Sequence, residues 1–318
     1  MQAASDSSQR IKYDGFLLLA SLIWGSGFVA QRAAADSMGS FTFNGLRFLL
    51  GFVILLVVSG FKKRIKKGQW RWVILAGFLL YGASALQQFG LLTTTAANAG
   101  FITSLYVVII PFGLWIFARQ KIKPVIWAAV SLAAVGTLLL STSGVFDPAV
   151  GDWFELAGAF LWAGHVLVVG LYGKHSDALA FSMGQFGIAA ALNLISAGML
   201  EWGNYTPRPE AWLGVLYSGI FPVSIAFTLQ VLGQRRAPVI DAALIFSLEA
   251  VFAALFGYWL LDEDLQPAQL FGCGLILAAL LLAQSQSFRQ RAKARQAAEE
   301  PLASREPDKS QYDRLNMD

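Results

Sequence analysis

The sequence predicts an all-α membrane protein with ten transmembrane helices arranged as two inverted five-helix repeats. Three observations lead to this prediction. Of the 318 residues, 56% are hydrophobic and only 14% are charged, an apolar excess that a soluble domain of this size could not keep out of water. The chain also contains ten apolar runs long enough to cross a bilayer, and its two halves carry a weak internal repeat.

Each predicted helix is a run of roughly 20 mostly apolar residues, the length that a bilayer-spanning helix needs. Polar connectors such as "FKKRIKKGQWR" and "STSGVFDPAVGD" separate the runs. The runs cover residues 14–33, 41–60, 72–91, 95–117, 124–142, 153–173, 178–200, 211–232, 238–261 and 267–286. We predict a cytoplasmic segment at 1–13 and a flexible cytoplasmic tail at 287–318, which is too polar to bury a core.

The cations in the connectors predict the orientation of the chain, because cytoplasmic loops carry the excess of Lys and Arg. With a cytoplasmic N-terminus, the outer loops receive only Arg32 and Arg208. We therefore expect a multi-pass protein of the cytoplasmic (inner) membrane with both termini in the cytoplasm. The acidic stretch "DEDL" then falls in an outer loop. The basic cluster Lys62–Lys67 is interpreted as a topology signal that contacts anionic lipid head groups, not as a nucleic-acid site.

The internal repeat aligns residues 14–142 with residues 153–286. At a spacing of 138 residues, Asp14 and Trp24 match Asp152 and Trp162; at a spacing of 143 residues, Gln87, Gly90, Ser104 and Pro124 match Gln230, Gly233, Ser247 and Pro267. Each half holds five spans, an odd number, so the two halves must cross the membrane in opposite directions. Inverted repeats suit secondary transporters, in which the substrate site lies between the halves near the bilayer midplane.

Four stretches resemble the ten-helix, EamA-type transporters of the drug/metabolite transporter superfamily: "LLLASLIWGSGFVAQR", "GLRFLLGFVILL", "TTTAANAGFITSLYVVIIPF" and "IFSLEAVFAALFGYWLLDEDLQPAQLFGCGLILAALLL". The resemblance covers about residues 14–285. The last stretch is the most specific, although Ala250 stands where the family usually has Pro after the Glu. The resemblance implies two inverted EamA repeats that move a small metabolite or drug across a cytoplasmic membrane, and it fixes the class better than the substrate.

Candidate substrate-binding residues are aromatic and polar groups inside the predicted spans, most of them near the bilayer midplane by a rise of about 1.5 Å per residue. Such a mixture suits a partly apolar solute that forms hydrogen bonds. We expect a cavity between the halves, lined from helices one, three, four, six, eight and nine. The candidates are Trp24, Tyr81, Gln87, Tyr106, Trp162, His165, Ser224, Gln230 and Glu249. For the aromatic and amide groups, packing between helices is the alternative interpretation.

Glu249 has two interpretations, because a charge at the bilayer centre costs at least ~2.5 kcal/mol by insertion scales and needs a partner, water or a proton. It is either a protonatable or amine-binding carboxyl in a hydrated cavity, or a carboxyl that ties helix nine to a neighbour. The sequence favours the second, because the family motif contains this Glu whatever the substrate. His165 is either a proton relay with Glu249 or a packing histidine.

Two further charged residues in the spans are interpreted as structural. Arg47 lies about seven residues inside helix two, close enough to the outer surface to snorkel. Its place in "LRFLL" matches the family, and Gln185 is its repeat partner. Asp241 follows Arg235 and Arg236 near the inner end of helix nine, so we expect an ion pair there rather than catalysis.

The favoured function is a secondary transporter, acting as an exporter of small metabolites such as amino acids or drugs by alternating access. The alternatives are a channel-like pore and an integral-membrane enzyme. No G-x-S-x-G, H-E-x-x-H or Walker motif occurs, and two His and one Cys leave little for metal chemistry. We therefore expect no enzyme activity, cofactor or metal. The expected partners are a small-molecule substrate and the lipid bilayer, and we expect no nucleic acid. The sequence leaves open the oligomeric state and whether transport is proton-coupled or facilitated.

Overall fold

The structure is a computed structural model that describes residues 2–117, 119–142, 149–201, 206–264 and 266–299. This part of the chain forms ten main helices and contains no β-strand, so the predicted all-helical class is confirmed. The helices are α1 (Gln2–Ala35), α2 (Ser40–Val58), α3 (Trp70–Gly90), α4 (Ala96–Phe117), α5 (Pro124–Thr142), α6 (Val150–Tyr172), α7 (Ala178–Leu200), α8 (Pro209–Gly233), α9 (Val239–Leu261) and α10 (Pro267–Glu299). Helix α10 thus continues into the segment predicted as a flexible tail.

Eight helices of the described chain are long and apolar enough to cross a membrane. The other two, α5 and α10, carry shorter apolar stretches at Pro124–Gly136 and Pro267–Ala283. The outer face of the bundle is also apolar: Trp115, Leu213 and Trp259 are each more than half exposed. An apolar exterior of this extent would be costly in water and suits contact with lipid.

Carboxylates that follow α7 and α9 bind the starts of two helices in the first half of the chain. The first backbone N–H groups of a helix lack partners within the helix and favour negative charge. Glu201 accepts hydrogen bonds from two such groups at the start of α2, both at 2.8 Å. Glu263, from the acidic stretch "DEDL", accepts two at the start of α4, at 2.9 and 3.1 Å. The acidic connector therefore holds α4 to the end of α9.

Helices from the first half pack mainly against helices from the second half. Helix α2 packs against α7, α4 against α9, and α5 against α10. Helix α1 packs on α8 and α9, whereas α6 packs on α3 and α4. Close approach needs small residues: a Cβ atom on Gly136 of α5 would lie 2.7 Å from the carbonyl oxygen of Gly272 in α10.

Three helices are interrupted near their centres. Helices α4 and α9 each break at a serine, Ser104 and Ser247, whose hydroxyl donates at 2.8 Å to the carbonyl three residues earlier. Such back-bonding competes with the regular helix ladder. Helix α8 widens into a π-helix at Gly219–Phe227, around Pro222, which has no N–H to donate. Segments of π-helix occur frequently at functional sites.

Candidate functional site

A cavity lined by both halves of the chain contains about 530 Å³ of empty space, part of it open to solvent. The lining residues come from the six predicted helices (α1, α3, α4, α6, α8 and α9) and additionally from α2. Seven of the nine candidate residues line it: Trp24, Gln87, Tyr106, Trp162, His165, Gln230 and Glu249.

Tyr106 and Glu249 meet in the cavity wall. Each lies two residues after the serine that breaks its helix, and the two positions are 143 residues apart, so they are equivalent in the two repeats. The Tyr106 hydroxyl donates a hydrogen bond to Oε1 of Glu249 at 2.9 Å, and both side chains are buried. Glu249 therefore has a partner on a neighbouring helix and also faces the cavity, which is compatible with both interpretations of this residue.

The paired tryptophans contact one aromatic ring, Phe227 of α8. The ring of Trp24 lies 5.0 Å from that of Phe227, and Trp162 stacks on it at 5.9 Å with an interplanar angle of 17°. His165 meets the same phenylalanine edge-on. Its Nε2 atom lies 2.9 Å from Oε1 of Gln185, so its hydrogen bond goes to α7 and not to Glu249.

Several buried polar atoms of the cavity wall have no hydrogen-bond partner among the described residues. They are both amide atoms of Gln230, Nε1 of Trp162, Nδ1 of His165 and Oε1 of Gln31. Buried polar groups in proteins are almost always bonded, so each such group calls for an explanation. The lining residues thus combine polar side chains with aromatic rings, a mixture suited to a partly apolar ligand that forms hydrogen bonds.

Two candidate residues do not line this cavity. The Tyr81 hydroxyl bonds to Ser196 at 2.8 Å, and its ring stacks near Phe41. Ser224 donates at 2.7 Å to the carbonyl of Gly219, inside the π-helical part of α8. Depth along a helix placed both near the midplane, but the direction of each side chain is set by how the helices pack.

Arg47 is buried in the cavity wall, so the prediction that it snorkels to the outer surface is wrong. Only 3% of its surface is exposed. The guanidinium lies 5.4 Å from the centre of the Phe43 ring and 5.1 Å from that of Phe48. Its Nε atom has no hydrogen-bond partner, and within the described chain no carboxylate forms an ion pair with it.

Comparison with known proteins decides the family. Residues 11–142 and 149–284 match the EamA-like transporter family. The chain belongs to that family. A protein of Archaeoglobus fulgidus named "Uncharacterized transporter" is 34% identical over 286 residues, which cover 88% of each chain. "Uncharacterized transporter YwfM" of Bacillus subtilis is 26% identical over 289 residues, covering 88% of this chain and 96% of the relative.

More distant similarities agree with this assignment. The "WAT1-related protein At3g02690, chloroplastic" of Arabidopsis thaliana is 23% identical over 280 residues, which cover 81% of this chain and 66% of the relative. A solved crystal structure with 21% identity matches the fold with a TM-score of 0.71, over 88% of this chain and 98% of that chain. The EamA-like family and the transporter names point to a multi-pass membrane transporter rather than to an enzyme, and the resemblance seen in the sequence is confirmed.

Glu155, in the second EamA repeat, was missed by reasoning from the sequence because it lies close to the start of α6. It is fully buried. Its Oε2 atom accepts a hydrogen bond from Thr103 at 3.1 Å, and Thr103, which lines the cavity, accepts one from Gln87 at 3.2 Å. Its Oε1 atom has no partner within the described chain. The internal repeat could have revealed it, because the equivalent position in the first repeat, 138 residues earlier, holds the apolar Leu17.

Asp241 forms an ion pair, but not with either of the two arginines that precede it in the sequence. It accepts a hydrogen bond from Arg10 of α1 rather than from the nearby Arg235 or Arg236. Arg10 also lies 3.6 Å from Asp14. The pair joins the starts of α1 and α9, which are distant in sequence. The prediction of an ion pair is thus confirmed, and its partner is corrected.

Proposed function

We propose that this EamA-like protein is a secondary transporter that exports small, partly apolar metabolites by alternating access. The observation that carries the proposal is the cavity between the halves, where aromatic and polar side chains line one space. Such a wall offers an apolar solute large contact area, and it offers polar groups of the solute hydrogen bonds. The export direction rests on the resemblance to drug/metabolite transporters.

We infer ten spans in two inverted five-helix repeats. The symmetry of the helix packing supports this arrangement, since α1 packs on α8 and α9 as α6 packs on α3 and α4. Equivalent residues also meet: Tyr106 bonds to Glu249, and Phe48 stacks with Phe186 at 6.3 Å. Contacts between equivalent positions are expected where a pseudo-two-fold axis passes between two repeats. Helices α5 and α10, each starting with Pro, complete the two sets.

The proposed orientation places both ends of the described chain in the cytoplasm. A reporter enzyme fused after Lys121 should read cytoplasmic. A reporter fused after Asp147, which lies outside the described residues, should read external. The reverse result at either position would contradict the proposed topology.

Flux through reconstituted vesicles tests the proposed mechanism. The purified protein should move one class among labelled amino acids, nucleosides and drugs with saturable kinetics, and unlabelled solute on the far side should accelerate exchange. A flux that rises linearly with concentration, without this counterflow, would favour the channel alternative.

Three tryptophan variants locate the path of the solute. Trp24→Ala and Trp162→Ala should lower flux several-fold at unchanged expression, because both rings form the cavity wall against Phe227. The matched control is Trp115→Ala, whose ring is 56% exposed on the apolar exterior. Wild-type flux in both cavity variants would exclude this cavity as the substrate site.

A further inference from the structure

Arg47 is a buried cation that lacks an anion. Within the described chain Arg47 forms no ion pair, and its Nε atom has no hydrogen-bond partner. Only 3% of its surface is exposed. Taking a charge out of water is costly unless a counter-charge or hydrogen bonds replace the water. The remaining interactions of the guanidinium are with the rings of Phe43 and Phe48 on its own helix.

The two buried glutamates described above are otherwise engaged. Glu249 accepts a hydrogen bond from Tyr106, and Glu155 accepts one from Thr103. Neither forms an ion pair with Arg47. The cavity therefore presents a fixed cation without its own counter-ion, flanked by aromatic rings.

The internal repeat shows that packing alone does not require this charge. The residue equivalent to Arg47 in the second repeat is Gln185, 138 positions later, on α7. Helices α2 and α7 pack against each other, so the two residues occupy matching places in one helix pair. Gln185 is also buried, and its neutral amide bonds to His165. A neutral side chain thus suffices at this position in one half, so the packing of this helix pair does not by itself demand a cation.

We propose that Arg47 binds the carboxylate of the transported solute, so that the substrates are small organic carboxylates with an apolar or aromatic body. A guanidinium offers a planar pair of donors that matches the two oxygens of a carboxylate. The aromatic wall formed by Trp24, Trp162 and Phe227 receives the apolar body. This inference rests on the proposed transport function and names the chemical class that the cavity selects.

Matched pairs of ligands test the inference on the purified full-length protein. The pairs are phenylalanine and phenylalaninamide, leucine and leucinamide, and 3-phenylpropionate and 3-phenylpropionamide. Each pair keeps the body and replaces the carboxylate with a neutral amide. We expect at least one carboxylate to raise the thermal midpoint in a saturable manner and its amide to bind at least tenfold more weakly. An amide that binds as tightly as its carboxylate, or the absence of binding by every carboxylate, overturns the inference.

Variants of Arg47 then connect the charge to the residue. Arg47→Gln, which installs the residue of the other repeat, should weaken carboxylate binding at least tenfold and leave amide binding unchanged. Arg47→Lys keeps the charge without the planar fork and should fall between the two. Arg71→Gln is the control, because Arg71 is exposed at the start of α3. If Arg47→Gln does not fold, Arg47→Lys and the ligand pairs decide.

Failure of this inference is distinguishable from failure of the transport proposal. If a neutral solute or an amine shows saturable flux that is unaltered in Arg47→Gln, the transport function is supported and the binding of a substrate carboxylate by Arg47 is refuted. Undiminished carboxylate affinity in a folded Arg47→Gln protein would do the same.

Discussion

The hydrogen bond between Tyr106 and Glu249 allows a quantitative test of how α4 and α9 are joined. Tyr106→Phe removes the donor and keeps the ring, whereas Glu249→Gln keeps an acceptor oxygen at Oε1 and removes the ability to ionise. The bond is 2.9 Å long, and its two residues are 3% and 4% exposed. Little of either side chain is accessible, so water could replace the lost partner only from the cavity.

The expected cost follows from this burial. Side-chain hydrogen bonds between membrane helices contribute about 0.6 kcal/mol on average and about 1.7 kcal/mol at most. Leaving a buried acceptor unpaired costs about 1–3 kcal/mol. We therefore expect Tyr106→Phe to destabilise the protein by about 1–3 kcal/mol and Glu249→Gln by less than about 1 kcal/mol. A double-mutant cycle of Tyr106→Phe with Glu249→Ala, which removes the acceptor, should return a coupling energy of about 0.5–1.5 kcal/mol.

Unfolding of the wild type and of these variants in detergent, followed by tryptophan fluorescence, measures these energies. A coupling energy of zero, or a Tyr106→Phe variant as stable as wild type, would refute the reasoning. Flux measured across a pH series then separates the two interpretations of Glu249. If Glu249 only ties α9 to α4, Glu249→Gln should keep the pH response of wild type. A fully stable Gln variant without that response would show that Glu249 binds protons during transport.

Three other perturbations give sharp outcomes. Gly136→Ala should destabilise the protein by about 1–3 kcal/mol through overpacking, because the new Cβ would lie 2.7 Å from the backbone of α10. Gly274→Ala is the control, since a Cβ there meets nothing within 4 Å. Equal unfolding midpoints for the two variants would contradict the α5–α10 packing. Glu155→Leu, which copies Leu17 of the other repeat, should leave the free energy of unfolding unchanged or raise it, because a buried acid with one unpartnered oxygen is replaced by an apolar residue. A decrease of more than about 2 kcal/mol in that free energy would show that the acid is structurally required. Burial works to raise the pKa of Asp177, but hydrogen bonds from Lys63 and Ala180 outweigh it and lower that pKa. A lowered folded-state pKa stabilises the protein above about pH 4, and this contribution is lost as the pH falls through the folded-state pKa. The midpoints of wild type and Lys63→Gln should therefore differ at pH 7 and converge in acid as Asp177 becomes protonated. A difference that stays constant with pH would oppose this account.

Much of the fold could be predicted from the sequence because hydrophobicity and length are local properties. The first residues of α4 and α5, Ala96 and Pro124, lie within one residue of the predicted starts at 95 and 124. The repeat spacing of 143 residues also relates Tyr106 to Glu249, although only the structure shows that they touch.

The direction of each side chain could not be predicted in the same way. A membrane helix is apolar on nearly all sides, so it lacks the polar face that orients a helix of a soluble protein. Depth therefore placed Trp24, Tyr81 and Ser224 together, whereas packing brings only Trp24 to the cavity. For the same reason the burial of Arg47 was not predicted, because its depth alone suggested that its side chain reaches the outer surface.

By itself the sequence determined that the chain is a membrane-spanning helical transporter of the EamA-like family, because composition, run length and motif are written residue by residue. Only the tertiary structure decided which polar groups share one space. Arg47 on α2 lies far along the chain from Gln230 on α8 and Glu249 on α9, and whether all three line one space depends on the rotation of each helix about its axis. The helices are held in place by contacts between residues distant in sequence, such as Gly136 against α10 and the carboxylate of Glu263 at the start of α4, and such contacts cannot be read along the chain.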